Sequence, residues 1–249
     1  MKKTYTTPAG NYYNLYADML AQTHLLIAGA TGSGKSVVIN GILATALYKA
    51  PTEVQFVLID PKRVELVAYR DLPHTLKYAC NIDDMVAALQ YAVDVMEARY
   101  IDMQKRRIKK YDGSHVYVII DELADLMTTV KKQAEPLIQR LGQVGRAAGV
   151  HLIAATQCPL STIINTAIKV NIDSRVGLRT RCAQDSRNIL GTNGCETLPR
   201  YGEAYYMKPE GTKLKKVPMV EEAEIDRLIN HWMSQTKPTR KGLFGRLFA

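Results

Sequence analysis

Short apolar runs recur along the chain, each ending on a turn residue or a polar residue. Leu25 to Ala28, entered from His24, stops at a glycine, and Val54 to Ile59 closes on Asp60 and Pro61. Tyr117 to Ile120 and His151 to Thr156 have the same form. Runs of this length predict buried strands. Shorter strands are expected near Ser174 to Leu178 and Gly202 to Met207. Between the runs the period becomes helical. Lys35 to Tyr48 carries Val38, Ile42 and Leu43 on one face, and Pro51 stops it. Behind Asn81, Ile82 and Asp83, the residues Met85, Val86, Leu89, Val93, Met96, Tyr100 and Met103 recur at helical spacing. That helix fades in a basic stretch and ends near Asp112 and Gly113. Its methionines read as core filler. Leu137, Leu141, Val144 and Ala148 mark another helix, closed by Gly149, and Glu221 to Trp232 is a last one. Strands alternating with helices predict an α/β fold with a mostly parallel central sheet and helices on both faces. Ligands then bind at the carboxyl ends of the strands.

Composition narrows this picture only a little. The 249 residues are 47% hydrophobic and 23% charged, ordinary for a globular protein. Nothing approaches the roughly 18 apolar residues of a membrane span. The opening Met-Lys-Lys-Thr lacks an apolar core behind it, so a cytoplasmic protein without a signal peptide is expected. Cys80, Cys158, Cys182 and Cys195 lie far apart, which favours free thiols over zinc or disulfides. The net charge of +9 favours a polyanionic partner. Part of it is clustered at Lys105 to Arg107, Lys109 and Lys110, Lys213 to Lys216, and Lys237 to Arg246, runs that by themselves read as solvated faces. Residues 1–23, polar and tyrosine-rich, read as an N-terminal extension, residues 24–235 as the main domain, and residues 236–249 as a basic, aromatic tail. The tail holds Phe244 and Phe248 and reads either as a disordered end or as a docking peptide.

Two strand ends carry chemistry. Gly29, Ala30, Thr31, Gly32, Ser33, Gly34, Lys35 and Ser36 fit G-x-x-x-x-G-K-[ST], the phosphate-binding P-loop, between an expected strand and an expected helix. Glycines let backbone N–H groups turn inward around a phosphate, and the following helix aims its positive end there. Lys35 is expected to reach the β- and γ-phosphates of ATP and Ser36 to hold Mg²⁺. Tyr117 to Ile120 carries Asp121 to a second tip as a further Mg²⁺ ligand, with Glu122 placed to activate the attacking water. Glu122 could instead serve only as a carboxylate at a helix N-terminus. Gln157, at the end of a third strand, is either a γ-phosphate sensor or an ordinary strand-end glutamine.

Taken in order, these segments resemble the motor domain of the FtsK/SpoIIIE family of DNA translocases from about His24 to Tyr206. His24 to Lys35, Leu58 to Leu66 with Asp60, Pro61, Lys62 and Glu65, Leu72-Pro73-His74, and Glu97 to Tyr100 match its pattern. So do Asp121 to Met127, Arg146 to Leu152, Ala155 to Gln157, Asn171 to Arg175, and Asp185 to Arg187. The resemblance implies a RecA-like fold, ATPase activity, and a homo-oligomeric ring, a hexamer, threaded by double-stranded DNA. It also implies an arginine supplied by a neighbouring subunit, for which Arg187 is the first candidate, Arg175 the second and Arg146 the third. Departures are a shorter interval between the nucleotide motifs and Cys158 where an arginine usually follows the glutamine. The family's N-terminal auxiliary domain, membrane anchor and C-terminal winged helix are not recognised, so a minimal motor is expected. Two related readings stay open. One is a coupling ATPase for conjugative transfer with a relaxase partner. The other is a protein-export ATPase like those of type VII secretion.

Overall fold

The computed structural model describes residues 13–235. In chain order the elements are α1 (Tyr13–Leu20), β1 (Leu25–Ala28), α2 (Lys35–Lys49), β2 (Val54–Ile59), β3 (Thr75–Ala79) and α3 (Ile82–Arg106). There follow β4 (His115–Ile120), α4 (Leu123–Thr129), α5 (Lys131–Val144), β5 (Val150–Thr156), α6 (Thr166–Asn171) and β6 (Ser174–Gly177). The described chain closes with α7 (Ala183–Leu190), β7 (Glu203–Lys208), β8 (Gly211–Lys216) and α8 (Glu222–Ser234). One sheet holds all eight strands in the order β3-β2-β4-β5-β1-β6-β7-β8. The pairings from β3 to β6 are parallel, and β7 and β8 add an antiparallel hairpin.

Side chains alternate across this sheet, and both faces are covered, so the central strands are apolar at nearly every position. In β4, Val116, Val118 and Ile120 join α3, α4 and α5 in one core, while Tyr117 and Ile119 join α1, α2 and α8 in the other. The long α3 helix starts at Asn81, whose side chain accepts from the Asp84 N–H at 2.9 Å. Asp83 and Asp84 lie in its first turn and Lys105 and Arg106 in its last, so charges oppose the helix dipole at each end. Its methionines Met85, Met96 and Met103 are buried filler.

Part of the segment read as an N-terminal extension is the helix α1. Tyr16 and Met19 are buried, and the Tyr16 hydroxyl donates to the Pro218 carbonyl. Gly41 makes this possible, because a Cβ there would stand 2.3 Å from the Tyr16 ring. Strand β3 and helices α4, α6 and α7 also lie outside the periodic runs, each being short. So does β8, whose residues are all exposed and which carries Lys213, Lys215 and Lys216. The proposed tail at 236–249 lies outside the described residues. Among the described residues no helix is long and apolar enough to cross a membrane.

Candidate nucleotide site

Strand order brings the polar tips together. β2, β4, β5 and β1 are consecutive neighbours, and adjacent strands lie about 4.8 Å apart. Asp60 follows β2, Asp121 and Glu122 follow β4, Gln157 follows β5, and the glycine loop follows β1. Segments as far apart in the chain as Gly29 and Gln157 thus meet at the carboxyl ends of neighbouring strands.

The loop from Gly29 to Ser36 turns through Gly32 (φ 72°) and Gly34 (φ 99°), both left-handed, a conformation that costs other residues about 1–2 kcal/mol. Gly29 is needed for a different reason, since a Cβ there would lie 2.7 Å from both Leu178 Cβ and Ser33 Oγ. The backbone is held from outside by Gly29 N–H on the Thr156 carbonyl at 3.3 Å and Ala30 N–H on the Arg179 carbonyl at 2.8 Å. Gly34 caps α2, so the first turn of that helix, with Lys35 and Ser36, faces the hollow of the loop.

Lys35 is buried and its ammonium donates to the Asp121 carboxylate and, at 2.7 Å, to the Asp121 carbonyl. Burial pushes the Asp121 carboxyl above the usual carboxylate range against the pull of Lys35, and Glu65 and Asp60 add to the rise. Asp121 Oδ2 and Ser33 Oγ are buried without a hydrogen-bond partner. A carboxylate oxygen left unsatisfied is costly unless something else binds it. Asp121 Oδ2 and the Ser36 hydroxyl are hard oxygen donors of the kind a Mg²⁺ ion takes, and the site fits that ion.

Glu122 is also buried, at 3% exposure. It caps α4, accepting from the Ala124 N–H at 3.4 Å. It further accepts from the Thr156 hydroxyl at 2.7 Å, from the Gln157 N–H at 3.2 Å and from the Lys62 ammonium at 3.2 Å. The helix-terminal role weighed for Glu122 is therefore real, and it coexists with a position beside Asp121. Gln157 reaches the loop itself, its Oε1 accepting from the Thr31 hydroxyl at 2.9 Å.

The three arginines differ. Arg175, in β6, donates to the carbonyls of Ile172 (3.1 Å), Ile189 (3.0 Å) and Lys169 (2.7 Å), which occupies its guanidinium within its own chain. Burial holds it below the usual arginine range. Arg187, in α7, is exposed and bonds only the neutral side chains of Asn193 and Gln184, at 2.7 and 3.0 Å. Arg146 follows α5 at the amino end of β5, away from the glycine loop. Two residues beside the site carried no sequence signal for their partners. Lys62 meets Glu122, and the Arg200 guanidinium stands 3.2 Å from where a Cβ on Gly32 would be. Asp60, buried, accepts from the Leu66 N–H at 3.0 Å and so ties down the loop that carries Lys62.

The FtsK/SpoIIIE family model matches residues 9–116 and 114–161. The DNA translocase FtsK of Lactococcus lactis subsp. cremoris is 42% identical over 210 residues, which is 76% of this chain and 28% of that protein. The DNA translocase FtsK of Streptococcus pneumoniae is 38% identical over 241 residues, 88% of this chain and 31% of that protein. The chain thus spans under a third of the length of these relatives. Among solved structures, the pCW3 conjugation coupling protein TcpA with ATPγS is 23% identical, with a TM-score of 0.74 over 86% of this chain and 66% of that one. The cytoplasmic domain of the Thermomonospora curvata type VII secretion ATPase EccC is 25% identical, with a TM-score of 0.69 over 84% of this chain and 28% of that one. The fold is that of these P-loop ATPases, the family model covers more than half of the residues, and the chain belongs to the FtsK/SpoIIIE family.

Proposed function

We propose that this chain is an ATPase that moves along double-stranded DNA as a ring of identical subunits. The observation that carries the reading is the meeting of Asp121, Glu122 and Gln157 on adjacent strand tips with Lys35, the first residue of α2, beside a glycine loop. The loop N–H groups and the positive end of α2 receive the phosphates of ATP, and Lys35 moves from Asp121 to the β- and γ-oxygens. Ser36 and Asp121 would hold Mg²⁺, which would supply charge neutralisation to the phosphates. Glu122 orients the attacking water and draws its proton. Gln157 senses loss of the γ-phosphate, a role supported by its bond from Thr31 in the loop. A neighbouring subunit supplies Arg187, which is exposed and hydrogen-bonded through its side chain to the neutral Asn193 and Gln184, with Glu196 near enough to feel its charge. Arg175 is disfavoured for this task because its donors are already spent on carbonyls.

The DNA part of the reading rests on the relatives named DNA translocase and on the net charge of +9. Grip on phosphates without base reading makes binding fall as salt rises. The division into an extension at 1–23, a motor at 24–235 and a tail at 236–249 belongs to the same proposal. The test is ATP hydrolysis with and without linear duplex DNA, alongside native mass. Duplex-stimulated turnover by an oligomer is expected. Turnover indifferent to duplex in a chain that stays monomeric would refute the reading.

A further inference from the structure

Four donors meet the Glu122 carboxylate: the Thr156 hydroxyl, the N–H groups of Gln157 and Ala124, and the Lys62 ammonium. A carboxylate offers about four lone-pair sites. Thr156, Ala124 and Gln157 all donate to Oε1, whereas Oε2 accepts from Lys62 and the second arm of the Gln157 N–H at 3.3 Å, so Lys62 takes the Oε2 position that a water molecule would need. Three of the donors are fixed, two of them as backbone and the third as a buried side chain at the end of β5. Lys62 differs, since its side chain is 43% exposed and that of Glu122 is 3% exposed. Of the four, Lys62 is the one that can withdraw into solvent.

The loop that presents Lys62 is built to hold it there. Asp60 is buried at the end of β2, accepts from the Leu66 N–H, and receives the Tyr78 hydroxyl at 3.5 Å. Arg63, next to Lys62, sits at φ 59°, a left-handed conformation that costs a non-glycine residue about 1–2 kcal/mol. Its N–H bonds the Asp60 carbonyl at 3.2 Å.

We infer that Lys62 is a positioning residue that restrains hydrolysis: it occupies Glu122 Oε2 until nucleotide and duplex draw it away. This rests on the reading of Glu122 as the water-activating carboxylate. While paired, Glu122 Oε2 is taken by the Lys62 ammonium and is closed to a water molecule. Burial alone would lower the Lys62 pKa, but Glu122, with Asp125 and Asp121, raises it, so the ammonium stays charged in this place. Once Lys62 leaves, one lone pair faces the incoming water, and the other donors keep the carboxylate aimed.

The experiment compares the full chain with Lys62→Met and Lys62→Arg in steady-state ATP hydrolysis, without and with linear duplex DNA. Lys62→Met is expected to raise the duplex-free kcat about two- to fivefold, the factor a half-exposed ion pair is worth. KM stays unchanged, and so does the duplex-stimulated kcat, because the pair is already open in that state. Lys62→Arg restores a charged donor and brings the duplex-free rate back down. A fall in kcat or a rise in KM in Lys62→Met would show that Lys62 meets the substrate and would overturn the inference. Duplex-free rates that match wild type would overturn it equally. A second readout needs no turnover. Amine-reactive labelling of Lys62 in the nucleotide-free chain, followed by mass spectrometry, is expected to run about two- to fivefold faster in Glu122→Gln than in wild type. Equal labelling rates would defeat the inference. A wild-type chain that hydrolyses no ATP defeats the proposed function instead, and the labelling comparison remains readable in that case.

Discussion

The two ends of the β-sheet bury polar side chains to opposite effect. At the carboxyl end, Asp121 and Ser33 keep unsatisfied atoms and charges of both signs crowd together. At the amino end, the buried groups are largely matched to neutral partners. Arg99 donates to the carbonyls of Ala148 (2.8 Å), Gly149 (3.1 Å) and Ser114 (2.8 Å), and its guanidinium lies 4.2 Å from the centre of the Tyr111 ring. His151 Nδ1 faces the Thr23 carbonyl at 2.9 Å and must carry its proton there. Its Nε2 therefore accepts from His115 Nδ1 at 2.7 Å. His24 Nδ1 accepts from the Leu152 N–H at 3.0 Å. These bonds to neutral partners tie α3, β4 and β5 together, and of the groups just named only Arg99 Nε and His24 Nε2 are buried without a partner. The carboxyl end is left open for something that binds and leaves.

The largest effect that separates the ends is on turnover. Glu122→Gln is expected to lower kcat by about 10²–10⁴-fold while nucleotide affinity, measured by fluorescent ATP binding, persists. Its urea midpoint should stay close to wild type, because an amide oxygen still accepts from the Thr156 hydroxyl and the Gln157 N–H. Arg99→Met tests the other end. It leaves buried carbonyls without donors and is expected to cost about 3 kcal/mol or more in urea unfolding, with turnover per folded molecule retained.

Acid should act on the amino end as well. Burial pushes His24 down to about 4 despite Asp173, and burial likewise pushes His151 down to about 4, with His115, His24 and Arg99 adding to the fall against the Thr23 carbonyl. Both folded values lie below the ordinary 6.5, so folding favours the neutral rings. Their contribution is complete above about pH 6.5 and is lost as pH falls toward 4, by at most about 3 kcal/mol for each ring. His151→Gln should flatten urea midpoints plotted over that window. The smallest expected effect belongs to Thr31→Val, which removes the exposed bond to Gln157. It should leave stability within about 0.5 kcal/mol and change only the coupling between duplex and turnover, read as the ratio of stimulated to unstimulated rates.

Much of the carboxyl end was legible in the sequence because its chemistry sits in contiguous motifs. Glycines at 29, 32 and 34, then Lys35 and Ser36, declare their purpose by spacing, and the apolar run before Asp121 places that residue at a tip. The central strands were legible because two covered faces demand apolar residues at successive positions. Pairings between distant residues left no such mark. Nothing local ties Lys62 to Glu122 or Arg200 to Gly32, since each contact depends on loops meeting after the sheet has formed. Arg99 was seen only as part of a family segment, and its carbonyl partners lie on other elements. Strand β8 escaped because it has no buried face and hence no alternation to detect. Helix α1 escaped because it is eight residues long and its key partner, Gly41, looks like a weakness inside α2 until Tyr16 is placed against it.

The exposed lysines of β8 have a consequence for how copies of this chain meet. An outermost strand offers unpaired N–H and C=O groups to any passing extended segment, the usual start of runaway sheet growth. Lys213, Lys215 and Lys216 project ammonium groups from that margin, so a second copy laid alongside would bring like charges face to face. The margin thus repels its own kind at neutral pH, which steers self-association away from backbone zippering and toward surfaces where side chains make the contact.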